Sequence, residues 1–223
     1  MKEYKLPIGC DVPETIILAD GDFPSHPLAL EWLRQCPYVV CCDGAANTYI
    51  RSGRMPEAIV GDGDSLLPDI KERYASLIHS EAEQETNDLS KAFRFCLSQE
   101  RKRITIMGAT GKREDHTIGN VSLLADYMEQ AEVSMMTDYG IFVPIREDSM
   151  FESYIGQQIS VFNMNSTALS AEGLAYPLSV FTNWWQGTLN EALARHFIIR
   201  TEGKVLAVSY THLRAHETGA YLV

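Results

Sequence analysis

Two aspartates, Asp62 and Asp64, stand one residue apart between glycines in the segment GDGDS, residues 61–65. In an extended or turning backbone, side chains at positions i and i+2 can point the same way, and glycine allows a ligand to approach the backbone closely. Carboxylate oxygens are ligands that Mg²⁺ prefers, commonly shared with substrate phosphates. The spacing therefore indicates a divalent-cation site. An exposed acidic turn is the alternative, because Gly and Asp are both common in turns.

A second segment, GATGKREDH at residues 108–116, has residue types that suit phosphate. It follows an apolar strand-like run and opens a helical one, so that helix N–H groups, Lys112 and Arg113 can meet anionic oxygens. It matches neither the Walker A ending nor the GxGxxG pattern. The alternative is an N-capping loop in which Asp115 caps the helix. His116 can be a proton donor or a structural hydrogen-bonding residue.

Composition and charge limit the classes of function. With 223 residues, of which 45% are hydrophobic, the chain can form one large domain or two small ones. A net charge of −11 disfavours nucleic acid and anionic membranes as partners. No apolar run approaches the length of a membrane span, and the first residues lack the core of a signal peptide. The five cysteines show no CxxC spacing, so we expect reduced thiols and a cytoplasmic protein.

Short apolar strands alternate with helices as far as about residue 138. The alternation predicts an open parallel α/β sheet. Ligands of such sheets bind beyond the carboxyl ends of the strands, where four of the strands end in Gly, Asp or both. This placement favours the metal interpretation of residues 61–65 over an exposed turn. Helices are predicted over about residues 27–35, 45–51, 70–77 and 117–130, and another is predicted directly after Asn87.

The second part of the chain has a different pattern. Its apolar runs are short, β-like and separated by glycines, which predicts a small antiparallel β domain. We therefore assign residues 1–140 to the α/β domain and residues 149–208 to the β domain. About 60 residues are marginal for independent stability, so the β domain is expected to pack on the first domain or on another subunit. Residues 209–223 resemble a translated vector sequence and are expected to be non-native.

Several polar and aromatic residues fit either a ligand-binding or a structural interpretation. Asp88 begins the helix capped by Asn87, where an acid compensates the helix dipole or serves a ligand. Asn47 and Asn120 lie early in their predicted helices and can contact a ligand or cap the backbone. Tyr176, with two nearby tryptophans, can stack on an aromatic ligand or pack against protein.

These segments, in this order, resemble the thiamine pyrophosphokinase family over about residues 15–208. The matching segments are residues 43–47, 61–65, 84–92, 108–116 with Asn120, 173–178 and 187–191. The sequence departs from the usual pattern of that family at four positions: the family usually has a bulky residue at Gly63, Asp at Glu85, Thr at Asn87 and Ser at Leu189.

The resemblance implies a fold, an activity and partners. The fold would be a Rossmann-like α/β domain with an open parallel sheet, followed by a β-sandwich that binds thiamine and forms a homodimer with shared active sites. The activity would be Mg²⁺-dependent transfer of pyrophosphate from ATP to the thiamine hydroxyl, giving thiamine diphosphate and AMP. Two alternatives remain: a pyrophosphokinase for another heteroaromatic alcohol such as a pterin, and a non-catalytic nucleotide-binding sensor.

The resemblance also implies a role for each matching residue. The Mg²⁺ ligands would be Asp62, Asp64 and Asp88. The catalytic set would be Asp64 and Asp88 with Asp43 and Asp115. ATP would be bound by Asn47, Gly108, Thr110, Arg113 and His116. Thiamine would contact Gln84, Tyr176 and Asn190, the last two from the partner subunit.

Overall fold

The computed structural model describes residues 1–7, 11–81, 83 and 85–211. The chain divides into two compact units. The α/β unit is Gly9–Asp138, and the β unit combines Met1–Ile8 with Tyr139–Val223. Within the described ranges, no helix has the length and apolar character that crossing a membrane requires.

The elements are numbered in chain order. The strands are β1 (Lys2–Tyr4), β2 (Ile16–Leu18), β3 (Val39–Cys42), β4 (Ala58–Gly61), β5 (Ile78–Ser80), β6 (Arg103–Met107), β7 (Glu132–Met136), β8 (Gly140–Ile145), β9 (Ser149–Glu152), β10 (Gln158–Asn163), β11 (Leu169–Glu172), β12 (Asn190–Glu191), β13 (His196–Thr201) and β14 (Val205–Tyr210). The helices are α1 (Pro27–Gln35), α2 (Ala45–Arg51), α3 (Pro68–Arg73), α4 (Asp88–Ser98) and α5 (Glu114–Tyr127), with 3₁₀ turns at Ala75–Leu77 and Trp184–Gly187.

The sheet of the α/β unit is parallel throughout, in the order β7-β6-β2-β3-β4-β5. Ile17 of β2 pairs with Val40 on one side and with Ile106 on the other. The chain first moves outward from β2 through β5 and then returns to place β6 on the opposite side of β2. The predicted parallel sheet is confirmed, and its order reverses beside β2, where open sheets of this kind bind ligands.

Apolar side chains fix the helices of the α/β unit onto this sheet. The three residues of β2 are fully buried, as expected for a strand covered on both faces. Trp32 and Leu33 of α1 join the same core as Ile16. The Phe93 ring of α4 stacks on Tyr127 of α5 with 3.9 Å between centroids. These contacts hold α1 on the sheet and fix α4 and α5 to each other.

Helix limits follow their capping chemistry. Asn87 caps α4 as predicted, because its side chain accepts a hydrogen bond from the Ser90 N–H. The helix predicted over residues 70–77 ends at Arg73 and continues as a 3₁₀ turn. Helix α5 begins at Glu114, earlier than the predicted residue 117. Its first turn carries Glu114 and Asp115, whose charges favour that end of the helix dipole.

The β unit contains two sheets around one core. The first has the order β1-β9-β13-β11, and the second joins β12, β10, β14 and β8. Buried residues of both sheets form a single cluster that includes Val161, Phe197 and Ile199. Phe151 stacks on Phe197 with 5.0 Å between ring centroids. This arrangement confirms the β-sandwich.

Three predicted domain limits are corrected by strand pairing. Strand β1 pairs in parallel with β9, so the amino-terminal residues belong to the β unit and not to an α/β domain of residues 1–140. Strand β8 begins before the predicted limit at residue 149. Ser209 and Tyr210 pair with Ile141 and Gly140, which places them in the sheet and not in the predicted tail. Residues 212–223 lie outside the described residues.

Gly119 offers a test of helix propensity in α5. A methyl group built on it meets no described atom within 4 Å, and Gly inside a helix costs roughly 0.5–1 kcal/mol relative to Ala. We expect Gly119→Ala to raise the free energy of unfolding by about that amount, measured by urea denaturation with circular dichroism.

Gly108→Ala is the matched control. Its φ is +63°, and an added Cβ would lie 2.6 Å from the Ala19 carbonyl oxygen, so this variant should lower stability. Equal changes in the free energy of unfolding of the two variants would contradict the assignment of Gly119 to an unconstrained helical position.

Candidate active site

A cavity of about 510 Å³ lies at the carboxyl edge of the parallel sheet. It is lined by the segments that follow β2, β4 and β6 and by the first turns of α4 and α5. The charged side chains of its lining are Asp20, Asp62, Asp88, Lys91, Lys112 and Arg113, together with His116. Carboxylates and cations thus meet at the point where the strand order reverses.

Asp43 lies behind this lining, directly after β3. Its N–H donates to the Val60 carbonyl at 3.0 Å, and its Oδ2 accepts from the Ser65 N–H at 3.1 Å. A Cβ added to Gly61 would lie 2.8 Å from Asp43 Cβ and 3.4 Å from Asp88 Cγ. Glycine at position 61 therefore allows these two acids to approach each other.

The electrostatic environment of Asp43 is unfavourable for its charge. The residue is 4% exposed, and burial raises the pKa of its carboxyl group. The charges of Asp88 and Asp62 raise this pKa further, while the hydrogen bond from Ser65 lowers it. Asp43 Oδ1 is buried without a hydrogen-bond partner in the described part of the chain. An unpaired oxygen beside two carboxylates suits a hard cation.

The described residues contain no group of three His, Cys, Asp or Glu side chains placed to hold a metal ion. Mg²⁺ commonly takes only one or two protein carboxylates and completes its shell with waters and substrate phosphates. The carboxylates at the cavity therefore fit an ion that binds together with a phosphate ligand.

Asp64 does not lie with Asp62 and Asp88. The chain turns at Gly63, whose φ is +77°, and Asp62 Oδ1 accepts a hydrogen bond from the Asp64 N–H at 3.1 Å. Asp64 lines a neighbouring pocket of about 460 Å³ beside Lys71. The positive φ of Gly63 departs from strand geometry, so the side chains at positions 62 and 64 do not share one face as they would in an extended strand. The predicted set of three aspartates is therefore not assembled in this structure.

Asn47 makes structural contacts with the segment after β4, and its predicted ATP contact stays a prediction. Its Nδ2 donates to the Ser65 carbonyl at 2.8 Å, and its Oδ1 accepts from the Leu67 N–H at 3.0 Å. Both ends of the amide are thus used by the segment that follows Asp62. Asn47 therefore positions this segment.

The loop after β6 is tied to the loop after β2 by its carbonyl groups. The Gly108 carbonyl accepts from the Gly21 N–H at 2.6 Å, and the Thr110 carbonyl accepts from the Asp22 N–H at 2.9 Å. Gly108 and Thr110 are absent from the described lining of the cavity, whereas Lys112 belongs to it. Gly108 and Thr110, which were predicted to contact ATP, therefore shape the loop that places Lys112 at the cavity.

Arg113 and Asp115 form an exposed bidentate ion pair. Arg113 Nη2 lies 2.5 Å from Asp115 Oδ2, and Nε lies 3.1 Å from Oδ1. The pair raises the pKa of Arg113 and lowers that of Asp115. Asp115 lies within the first turn of α5 and is not its N-cap, so the capping interpretation is wrong. Arg113 and His116 line the cavity, and Asp115 is not among its described lining residues.

Lys91 and Asp20 line the cavity but were not selected from the sequence as site residues, whereas Lys112 was named there as a cation for anionic oxygens. Lys91 is 4% exposed, and its Nζ lies 3.1 Å from Asp88 Oδ1. The i, i+3 spacing from Asp88 was the signal for this contact. Lys112 Nζ donates to the Asp20 carbonyl at 2.8 Å and to Oδ1 at 3.1 Å. Asp20 follows β2, so it carries the same strand-end signal as Asp43.

Comparison with known proteins identifies the family. A family model described as "Thiamin pyrophosphokinase, catalytic domain" matches residues 29–136, and one described as "Thiamin pyrophosphokinase, substrate-binding domain" matches residues 140–208. The chain belongs to the thiamine pyrophosphokinase family. The two matches together span most of the chain and divide it close to the boundary between the two structural units.

Individual members of the family are distant from this chain. It is 30% identical to a rice thiamine pyrophosphokinase 1 over 47% of this chain and 49% of the relative. It is 34% identical to the Bacillus subtilis thiamine pyrophosphokinase over 37% and 40%, respectively. The chain thus spans about half the length, or less, of the curated relatives it matches.

Solved thiamine pyrophosphokinase structures share the fold. The Candida albicans protein aligns with a TM-score of 0.75 and 17% identity, covering 94% of this chain and 92% of that one. The Bacillus subtilis structure aligns with a TM-score of 0.75 and 21% identity, covering 90% and 100%.

The family resemblance assigned three residues to thiamine, and their side chains differ in exposure and hydrogen bonding. Asn190 is 4% exposed. Its Nδ2 donates to the Tyr176 carbonyl, and its Oδ1 accepts from the N–H groups of Tyr176 and Glu191, all within 3.0 Å. Asn190 therefore holds the Tyr176 backbone, and its predicted contact with thiamine stays a prediction. The Tyr176 side chain is exposed, and Gln84 lies outside the described residues.

Asp43 generates a prediction about stability and pH. Because its pKa is raised in the fold, ionised Asp43 destabilises the protein at pH values above the folded pKa, and this cost disappears as the pH falls toward the unfolded value of 3.8. We expect Asp43→Asn to stabilise the metal-free protein at pH 7 by about 1 kcal/mol, the lower end of the cost of an unsatisfied buried polar group. Thermal unfolding at pH 7 and pH 4.5 measures the difference.

Asp115→Asn is the control for this prediction. Its carboxyl group is exposed and has a lowered pKa, so the same substitution should bring no stabilisation at pH 7. A gain in Asp115→Asn equal to that in Asp43→Asn would show a general charge effect and contradict the role given to burial.

Proposed function

We propose that this chain catalyses Mg²⁺-dependent transfer of pyrophosphate from ATP to the hydroxyl group of thiamine, giving thiamine diphosphate and AMP. The observation that carries the proposal is the cavity in which Asp62 and Asp88 occur with Lys91, Lys112 and Arg113. This combination suits a triphosphate that binds with a metal ion, because phosphoryl-type transfer depends on positioning and charge neutralisation. The names of the relatives supply the acceptor.

Asp62 and Asp88 would hold Mg²⁺, with Asp43 supporting them from behind. A bound ion would neutralise negative charge on the phosphates of ATP. Asp64 remains a predicted Mg²⁺ ligand. Because it lies outside the cavity, its substitution tests whether the ion is bound only by aspartates that line the cavity.

The triphosphate would meet the loop after β6 and the amino end of α5. Lys112, Arg113 and His116 line the cavity there, and α5 has no side-chain cap among the described residues. This helix end therefore suits an anion, with the His116 N–H already donating to Asp115 Oδ1 at 3.0 Å. Gly108 and Thr110 act by fixing the loop to its neighbour, and Asp115 acts by orienting Arg113.

The reaction joins the hydroxyl oxygen of thiamine to the β-phosphorus of ATP. The bond from that phosphorus to the oxygen bridging it to the α-phosphorus breaks, and AMP leaves with this oxygen. The hydroxyl proton passes to a carboxylate, for which Asp88 and Asp64 are the candidates. Tyr176 is proposed to contact thiamine. The roles of Gln84, the homodimer with shared sites and the cytoplasmic location stay predictions.

An AMP-release assay with and without thiamine and Mg²⁺ tests the proposal. We expect AMP only when both are present, and we expect Asp88→Asn to lower the rate by at least about 100-fold, because electrostatic stabilisation is usually the largest catalytic effect. AMP formation with a hydroxymethylpterin but not with thiamine would support the pterin alternative. Mg-ATP binding without any acceptor-dependent AMP would support the sensor.

Comparison of Asp62→Asn with Asp64→Asn tests the metal ligands. If both aspartates bind the ion in the working complex, each variant should lose at least about 100-fold in rate. A rate near that of the wild type for Asp64→Asn, with a large loss for Asp62→Asn, would limit the ligands to the residues that line the cavity. The folded state of each variant is checked by circular dichroism.

A further inference from the structure

We propose that Asn87 and Asn120 form a bridge that sets the distance between the helix carrying Asp88 and the loop after β6. Asn87 Nδ2 donates to Asn120 Oδ1 at 3.0 Å. Asn120 Nδ2 in turn donates to the Ala109 carbonyl at 2.8 Å. Two hydrogen bonds in series thus join the first turn of α4, the body of α5 and the loop proposed to bind phosphate.

The bridge lies at the cavity, where Asn120 is buried and Asn87 is exposed. Asn87, Asn120 and Ala109 all belong to its lining, and Asn120 is 9% exposed. Both ends of the Asn120 amide are used by protein partners. The Asn120 side chain is therefore a positioning group, which decides between the ligand-binding and structural interpretations that its sequence position allowed.

Asn87 performs two separable tasks. Its Oδ1 accepts the Ser90 N–H at 2.9 Å and caps α4, while its Nδ2 makes the bridge. Thr is also a good N-cap, but its single hydroxyl oxygen cannot occupy the positions of both amide atoms. Rotating the Asn120 amide to satisfy another partner would turn its oxygen toward the Ala109 carbonyl. Asparagine at 87 therefore adds a positional constraint that capping alone does not require.

This constraint concerns the two groups that a metal-bound triphosphate would have to contact together. Asp88 follows Asn87 directly, and Ala109 precedes the loop residues Gly111 and Lys112 on the cavity wall. Small displacements of positioned groups cost catalytic rate steeply. The bridge therefore sets the spacing between the Asp88 carboxylate and the loop after β6. Its kinetic consequence rests on the proposed function.

Asn87→Thr tests the inference, with Asn87→Ala as the comparison. Asn87→Thr keeps the cap and removes the bridge, so its unfolding midpoint should stay within about 2 °C of the wild type. Its kcat/KM for ATP should fall about tenfold or more, mainly through kcat. Asn87→Ala loses the cap as well, and both its stability and its rate should fall. Wild-type kinetics in Asn87→Thr would overturn the bridge.

A double-substitution cycle separates a bridge from two independent structural effects. If Asn87 and Asn120 act together, Asn120→Ala in the Asn87→Thr background should lower kcat/KM by less than it does alone. Fully additive losses would contradict the bridge.

A binding measurement keeps the test independent of turnover. Calorimetry with Mg²⁺ and a non-hydrolysable ATP analogue should show binding weakened about fivefold or more in Asn87→Thr, as expected when pre-organisation is lost. An inactive wild-type protein would overturn the proposed function, while the calorimetric comparison would still report on the bridge. Equal affinity of the two proteins, or no binding to the wild type, would overturn the inference.

Discussion

Repulsion between carboxylates is the constraint on which the candidate site depends. Asp43 and Asp88 approach each other because the carboxyl end of β3 meets the amino end of α4 and Gly61 leaves room between them, and the charge of Asp62 also acts on Asp43. Burial raises the pKa of Asp43, and the charges of Asp88 and Asp62 raise it further. Lys91 and the Ser65 N–H offset part of this repulsion. The arrangement costs stability in the ligand-free protein, as expected where binding takes priority over stability.

Asparagine amides fix several loops, Asn47 and Asn120 at the candidate site and Asn190 separately in the β unit. Asn47, Asn120 and Asn190 each use both amide ends on protein partners, which include backbone groups of neighbouring loops. Loop backbone lacks the regular partners that strands and helices provide, so side-chain amides must satisfy part of it. This explains why an asparagine near a site can look like a ligand contact in the sequence and prove to be a support in the fold.

The sequence predicted features with local signals and missed those that depend on distant pairing. The apolar residues of β2 and the Asp or Gly at strand ends were sufficient for the parallel sheet and its functional edge. Strand β1 was missed because its partner β9 lies far along the chain. The direction of Asp64 depends on the turn at Gly63, and the role of Asn190 depends on its contact with Tyr176. Neither contact has a signature in residue type alone.

The two kinds of charge at the cavity come from different parts of the sheet. Most of the acids follow β3 and β4 or begin α4, whereas Lys112 and Arg113 follow β6, on the other side of β2. Hydrogen bonds between the loops after β2 and β6 keep these parts together, and the Lys112–Asp20 pair spans them. A cation alone would satisfy only the acids, and a phosphate alone only the basic loop. A triphosphate bound with a cation satisfies both, because the ion and the phosphate oxygens neutralise each other as well as the protein.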